Sequence, residues 1–240
     1  LVENVQILSS NLVQNGDFSE EGVEEVSNGS FSQEGVELVT NGDFATDSDW
    51  IEIGGANINT TNKNVVFSNV TNGGVLQNNI FQVGYSYKVS FEITSVESGT
   101  GEVRFDAGGG TVISGKNEVG VYSAIFKYTS SAASDRVYVL AGSGVVNCQI
   151  DNVSVKEVGQ DWDFGTGWSM GDGVVEANNT SSFFSQSGLI QASKLYKLKF
   201  EARLKSGTNG TINAYIGGSN NQQFTIANTD WQSFTYEDTR

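Results

Sequence analysis

LVTNGDFATDSDW at Leu38–Trp50 and IDNVSVKEV at Ile150–Val158 stand about a hundred residues apart and bracket the part of the chain that decides its fold. The first sets an Asn-Gly pair between Val39 and Phe44, a tight-turn signal because both residues tolerate positive φ. The second closes the apolar run that begins at Cys148 and reads as a last strand. Between them, YKVSFEITS puts Tyr87, Val89, Phe91 and Ile93 on one face and Lys88, Ser90, Glu92 and Thr94 on the other. EVRFD repeats the pattern, with Val103 and Phe105 inward and Arg104 and Asp106 outward, and VYSAIFKY and RVYVLA continue it. About eight strands over about 115 residues predict a two-sheet jelly roll.

Composition agrees with an all-β class. The 240 residues include 29 Gly, no Pro and only 17% charged side chains. Short β-branched strands separated by Gly and Asn turns fit this. The absence of His removes the commonest general base and excludes His-dependent triads. No nucleophile elbow, phosphate loop or Cys/His metal set is present, so an enzyme is not expected. A net charge of −15 argues against a nucleic-acid groove, and no apolar run reaches the length of a membrane-spanning helix. The lone Cys148 predicts a buried, inert thiol. No signal-peptide pattern is read, and the start at Leu1 rather than Met is expected to reflect processing or trimming.

Residues 1–36 carry two copies of one unit and a third follows at once, with turns at Asn15-Gly16, Asn28-Gly29 and Asn41-Gly42, 13 residues apart. Val13, Val26 and Val39 precede these turns; Phe18, Phe31 and Phe44 follow them. The third copy opens the module at 37–159, which leaves two spare strands with exposed Phe. Either they form a flexible linker left by duplication, or one docks on a neighbouring chain by strand addition.

A second module at 160–240 follows by residue type. Asp163, Phe164 and Trp168 match Asp43, Phe44 and Trp50. Gln191, Tyr196, Lys197, Phe200 and Glu201 each lie 109 positions beyond Gln82, Tyr87, Lys88, Phe91 and Glu92. Two tandem jelly rolls are therefore expected, the second without a counterpart of IDNVSVKEV. Either the polypeptide continues past Arg240, or a strand from another molecule completes the sheet.

NGDF before a Trp, a YKVSFE strand and a terminal IDNVSV strand resemble the carbohydrate-binding modules of families 4 and 9. The combination of ELVTNGDF, VYSAIF and IDNVSVKEV is also similar to modules in structural proteins of tailed bacteriophages. The first likeness implies a structural Ca2+ joining the opening segment to the closing strand, with Asp43 and Asp151 as ligands and Asp163 as the second module's counterpart. Without the ion, Asp43 caps its turn and Asp151 bonds backbone; Ser30 replaces the first of these in the second repeat.

A sugar site needs an aromatic face and a few polar groups. Lys88, Glu92, Arg104, Asp106 and Tyr138 are the candidates on the exposed sheet of the first module, and Glu201, Arg203 and Tyr215 are their analogues in the second. Each is otherwise a solvated strand residue. Trp50 and Trp168 read as packing residues rather than sugar platforms. Two functions follow: a non-enzymatic virion fibre, tail or capsid-decoration protein binding host-surface glycans, or the glycan-binding accessory region of a secreted polysaccharide-degrading protein. A self-assembling extracellular filament is a third. The expected partners are a polysaccharide or cell-surface glycan and other copies or virion proteins, at a virion surface or outside the cell, without membrane insertion.

Overall fold

A computed structural model describes residues 20–129, 135–218 and 220–240. The first repeat, with Asn15-Gly16 and Phe18, lies outside the described residues. Two compact units form: Asn28–Gln186, and Ser187–Arg240 together with residues 20–27. The chain is all-β, and no helix long and apolar enough to cross a membrane occurs among the described residues.

In the larger unit, eleven strands build the sandwich: β1 (Glu34–Glu37), β2 (Ile51–Ile53), β3 (Ala56–Asn59), β4 (Asn64–Val70), β5 (Gly74–Gln77), β6 (Ser86–Val96), β7 (Glu102–Ala107), β8 (Gly110–Lys116), β9 (Gly120–Lys127), β10 (Val137–Ser143) and β11 (Val146–Val158). Sheet one runs β3-β4-β11-β6-β9, with β1 also on β11; sheet two runs β2-β5-β10-β7-β8. The count exceeds the eight expected because β1, β2, β3 and β5 span three or four residues each, too few to show a period in sequence.

The alternation of β6 holds: Tyr87, Val89, Phe91 and Ile93 are all buried, while the residues between them are partly or fully exposed. Val103 and Phe105 on β7 are buried in the same way. Phe91 of sheet one stacks on Phe105 of sheet two at 6.1 Å between ring centres, so the inner faces meet through aromatic rings. Cys148 lies in this core, where burial pushes its thiol up to about 12.

The opening and closing segments are joined directly. Leu38 donates its N–H to Val155 O at 2.9 Å, and Val153 N–H donates to Gly42 O at 2.9 Å. Glu37 Oε1 accepts from Val155 N–H and Glu37 Oε2 from the Ser154 hydroxyl. A bulge lets β11 reach back to the turn: its register with β6 shifts between Asp151 and Ser154, and Asn152 has φ 52°.

Four short strands complete the larger unit: β12 (Asp163–Phe164), β13 (Trp168–Met170), β14 (Val175–Ala177) and β15 (Phe184–Ser185). The smaller unit holds β16 (Leu195–Ala202), β17 (Gly210–Tyr215), β18 (Asn221–Ile226) and β19 (Gln232–Thr239), paired β16-β19 and β17-β18. The correspondence between modules extends to a hydrogen bond. Tyr87 OH accepts from Gln82 N–H at 2.8 Å, and Tyr196 OH from Gln191 N–H at 2.8 Å. Whereas β6 is flanked by both β9 and β11, β16 has only β19, and its other edge carries no strand among the described residues.

Candidate functional site

Val75, Val139 and Phe105 of sheet two face the core, so their strand neighbours point outward. Cross-strand pairing lines up Ile51, Leu76, Tyr138, Asp106 and Thr111 in one row across this outer face. The next row holds Ile53, Gly74, Leu140 and Arg104. Leu76 and Leu140 are only 5% and 8% exposed although they lie outside the core cluster, so they form an apolar floor on the outer side.

Polar groups are fixed above this floor. Asp106 Oδ2 lies 3.1 Å from Arg104 Nη2, and Asp106 Oδ1 accepts from the Thr111 hydroxyl at 2.8 Å. Burial raises the pKa of the Tyr138 phenol. Arg104 Nε is buried with no hydrogen-bond partner among the described residues. An aromatic ring beside a clamped carboxylate and a guanidinium is able to hold a sugar ring and two of its hydroxyls.

Alternation told which candidate residues face outward but not which sheet they share. Arg104, Asp106 and Tyr138 are neighbours on sheet two, whereas Lys88 and Glu92 belong to sheet one. The single exposed face proposed for all five is therefore corrected. Lys88 Nζ bridges Glu34 at 2.9 Å and Asp172 at 3.2 Å, so it ties β1 and the β13–β14 turn to β6. Lys156 meets the same Glu34 carboxylate at 3.0 Å, and the two ammonium groups hold it below the usual carboxylate range. Glu92 Oε2 accepts from Asn152 Nδ2 at 2.7 Å, which braces the bulge.

In the smaller unit, Glu201 lies on β16 and Tyr215 on β17, strands of different ladders. Glu201 accepts from the Ser233 hydroxyl at 3.2 Å, and Tyr215 OH from Asn221 Nδ2 at 3.2 Å. Arg203 lies over Trp231 at 4.7 Å. Trp231 is 49% exposed and was not singled out in sequence, although its place just before a strand, in TDWQSF, was a usable signal.

Trp50 and Trp168 both pack. Trp50 is 8% exposed and donates to Asn41 O at 2.9 Å. Trp168 donates to Ser182 O at 2.9 Å with its ring 4.6 Å from Phe184.

Among the described residues, no three His, Cys, Asp or Glu side chains converge as metal ligands. Asp43 Oδ1 accepts from Ala45 N–H at 3.4 Å, and Asp151 Oδ1 from Asn152 N–H at 2.7 Å. Asp163 is exposed on β12 opposite Ser185. Burial raises the Asp151 pKa; the Asn152 N–H opposes the rise, and the charges of Glu92 and Asp43 add to it. Asp151 thus lies among the like charges of Glu92 and Asp43, and Glu37 and the backbone also join the opening and closing segments.

No family model matches the chain, and no curated protein matches it. Solved structures give two likenesses. One is the N-terminal module pair of Clostridium thermocellum endo-1,4-β-D-xylanase 10B, a family 22 carbohydrate-binding module with a glycoside hydrolase family 10 domain, complexed with xylohexaose. It shows 17% identity and a TM-score of 0.37 over 52% of this chain and 28% of that one, so the chain spans less than a third of its length. The other is the tandem pair of family 22 modules from a Paenibacillus barcinonensis xylanase, at 13% identity and TM-score 0.40 over 85% of this chain and 84% of that one. Both scores lie below 0.5, and the fold rests on the strand pairing of the chain itself.

Proposed function

We propose that the chain is a non-catalytic carbohydrate-binding protein and that the outer face of sheet two is where its glycan lies. The observation carrying this is the row of Tyr138 and Asp106 with Arg104 beside it, a ring and an ion pair on one outer face, backed by the buried Leu76 and Leu140. Such a face suits a neutral polyhydroxylated ligand better than a nucleic acid, given the net charge of −15. Binding to an array of plant, microbial and host-type glycans is expected to be lowered about tenfold by Tyr138→Ala, about 1.4 kcal/mol. Asp106→Asn is expected to weaken it as well, with far-ultraviolet circular dichroism unchanged in both variants. No binding to any glycan on the array, or equal binding by all three proteins, would remove this face from consideration.

The setting is either the surface of a virion, as a fibre, tail or decoration subunit, or a secreted polysaccharide-degrading protein in which this region is accessory. Electron microscopy of the native material separates them. Subunits arrayed on a particle support the first, and dispersed molecules attached to a catalytic domain support the second.

A calcium ion at Asp43 and Asp151 belongs to the same proposal, supported by the like charges around Asp151. A carboxyl whose folded pKa is raised holds its proton more tightly in the native state. Its favourable contribution is complete below the unfolded pKa and is lost as pH rises through the folded one. Asp151→Asn is therefore expected to raise the melting temperature at neutral pH in chelator, by about 1–2 °C. The same variant is expected to flatten the gain seen on acidification. Added calcium is expected to stabilise the wild type and leave the variant unmoved. If calcium shifts neither protein, the ion has no role here.

A further inference from the structure

The second N-terminal repeat, spare by sequence, is seated. Its turn repeats the geometry of the module-opening turn at every hydrogen bond they share. In the opening turn, Phe44 N–H donates to Asn41 O at 3.1 Å, Thr46 N–H donates to Asn41 Oδ1 at 3.2 Å, and Asn41 and Phe44 take φ of 54° and 48°. In the second repeat, Phe31 N–H donates to Asn28 O at 3.1 Å, Gln33 N–H donates to Asn28 Oδ1 at 3.1 Å, and Asn28 and Phe31 take φ of 47° and 55°.

Each turn also holds one indole. Trp50 Nε1 donates to Asn41 O at 2.9 Å, with its ring 5.3 Å from Phe44 and tilted by 48°. Trp162 Nε1 donates to Asn28 O at 3.1 Å, with its ring 5.2 Å from Phe31 and tilted by 45°. Asn28 Nδ2 further reaches Gln160 O at 3.2 Å, and the Phe184 ring lies 6.0 Å from Phe31 and 5.0 Å from Trp162, so the three rings meet as a cluster. The module's own Phe164 does not take this place; it stacks on Phe184 at 6.4 Å.

We infer that Trp162 and Phe184 form a socket for Asn-Gly-x-Phe turns, and that a second copy of this chain is an occupant it accepts. Three observations carry the step from one chain to two. The turn at Asn41 is nine residues from its indole, whereas the turn at Asn28 is 134 residues from its own, so the second pairing is not dictated by the local chain. Phe44 is fully buried but Phe31 and Trp162 are only half-buried, so this socket is the more open. The sequence carries the Asn-Gly-x-Phe pattern three times, at Asn15, Asn28 and Asn41, and among the described residues two indoles, Trp50 and Trp162, each take one such turn. A turn that closes a distant socket in its own chain closes the same socket in a neighbour, which is the condition for exchange.

Two full-length variants that complement each other test this. In one, Phe18→Ala and Phe31→Ala remove the Phe of both N-terminal repeats, the plugs, and leave the socket. In the other, Trp162→Ala spoils the socket and leaves the plugs. Each alone is expected to run as a monomer in size-exclusion chromatography with light scattering, and an equimolar mixture is expected to give a heterodimer. Trp162→Phe, which keeps one aromatic ring but loses the indole N–H and the second ring, is the second socket variant should Trp162→Ala fail to fold. Association of the mixture no greater than that of the separate variants would overturn the inference, as would a heterodimer that persists when both partners lack the plugs.

Discussion

Replacing Gly42 by alanine is expected to cost the larger unit about 3 kcal/mol, the upper end for overpacking, and to lower its melting temperature by about 6–12 °C. A Cβ at this position would stand 2.0 Å from Val153 O and 3.2 Å from its carbonyl carbon. These are backbone atoms, so no rotamer relieves the clash. The carbonyl belongs to the bulge by which β11 meets the opening turn, and Gly42 O accepts the Val153 N–H across the same gap. Moving one segment away therefore also breaks the joint between the first and last parts of the sandwich. Gly110→Ala is the control, since a Cβ there meets nothing within 4 Å. Thermal unfolding followed by circular dichroism reads both; equal melting temperatures for the two variants would mean that the turn does not lie against β11.

Phe91→Ala is expected to be the more damaging still, at about 4 kcal/mol. The ring is fully buried, 6.1 Å from Phe105 and 5.7 Å from Tyr122 between centres, so its removal leaves a cavity where the two sheets meet. The corresponding Phe200 in the smaller unit makes a useful contrast. It packs on Phe224 at 5.4 Å and Phe234 at 5.3 Å, yet all three rings are only half-buried. Phe200→Ala is expected to lose much less, because the site already borders water and collapses or hydrates. Denaturant unfolding of the two variants measures the difference, and a larger loss at Phe200 would show that the smaller unit is the better-packed body.

The long strands were legible because periodicity states burial. Val89, Phe91 and Ile93 alternate with Lys88, Ser90 and Glu92, and such a run has one way to bury its apolar set. Ile51–Ile53 and Gly74–Gln77 were not legible, since three or four residues carry no period. The candidate face was half legible for a related reason. Outward residues announce themselves on each strand, but strand order is set by pairings between distant segments, which is why Lys88 and Glu92 were grouped with Arg104, Asp106 and Tyr138. The floor made by Leu76 and Leu140 was hidden, because outward apolar residues in sequence look like core.

The repeats show the same limit more sharply. Their turns were plain in sequence, each an Asn-Gly followed by Phe, and the geometry at Asn28 and Asn41 matches closely. What sequence did not reveal is that Trp162, rather than Trp168, receives the second turn. Residue type had aligned Trp168 with Trp50; the hydrogen bond to an asparagine carbonyl selects the other indole.

The span of 134 residues between Asn28 and Trp162 also sets an order of events at the ribosome. At roughly 5–20 residues per second, the Phe31 turn emerges on the order of ten seconds before its indole exists. Through that interval the whole first sandwich is synthesised, and a hydrophobic side chain made early waits for a partner made late. On a polysome, the nearest finished indole belongs to the chain ahead.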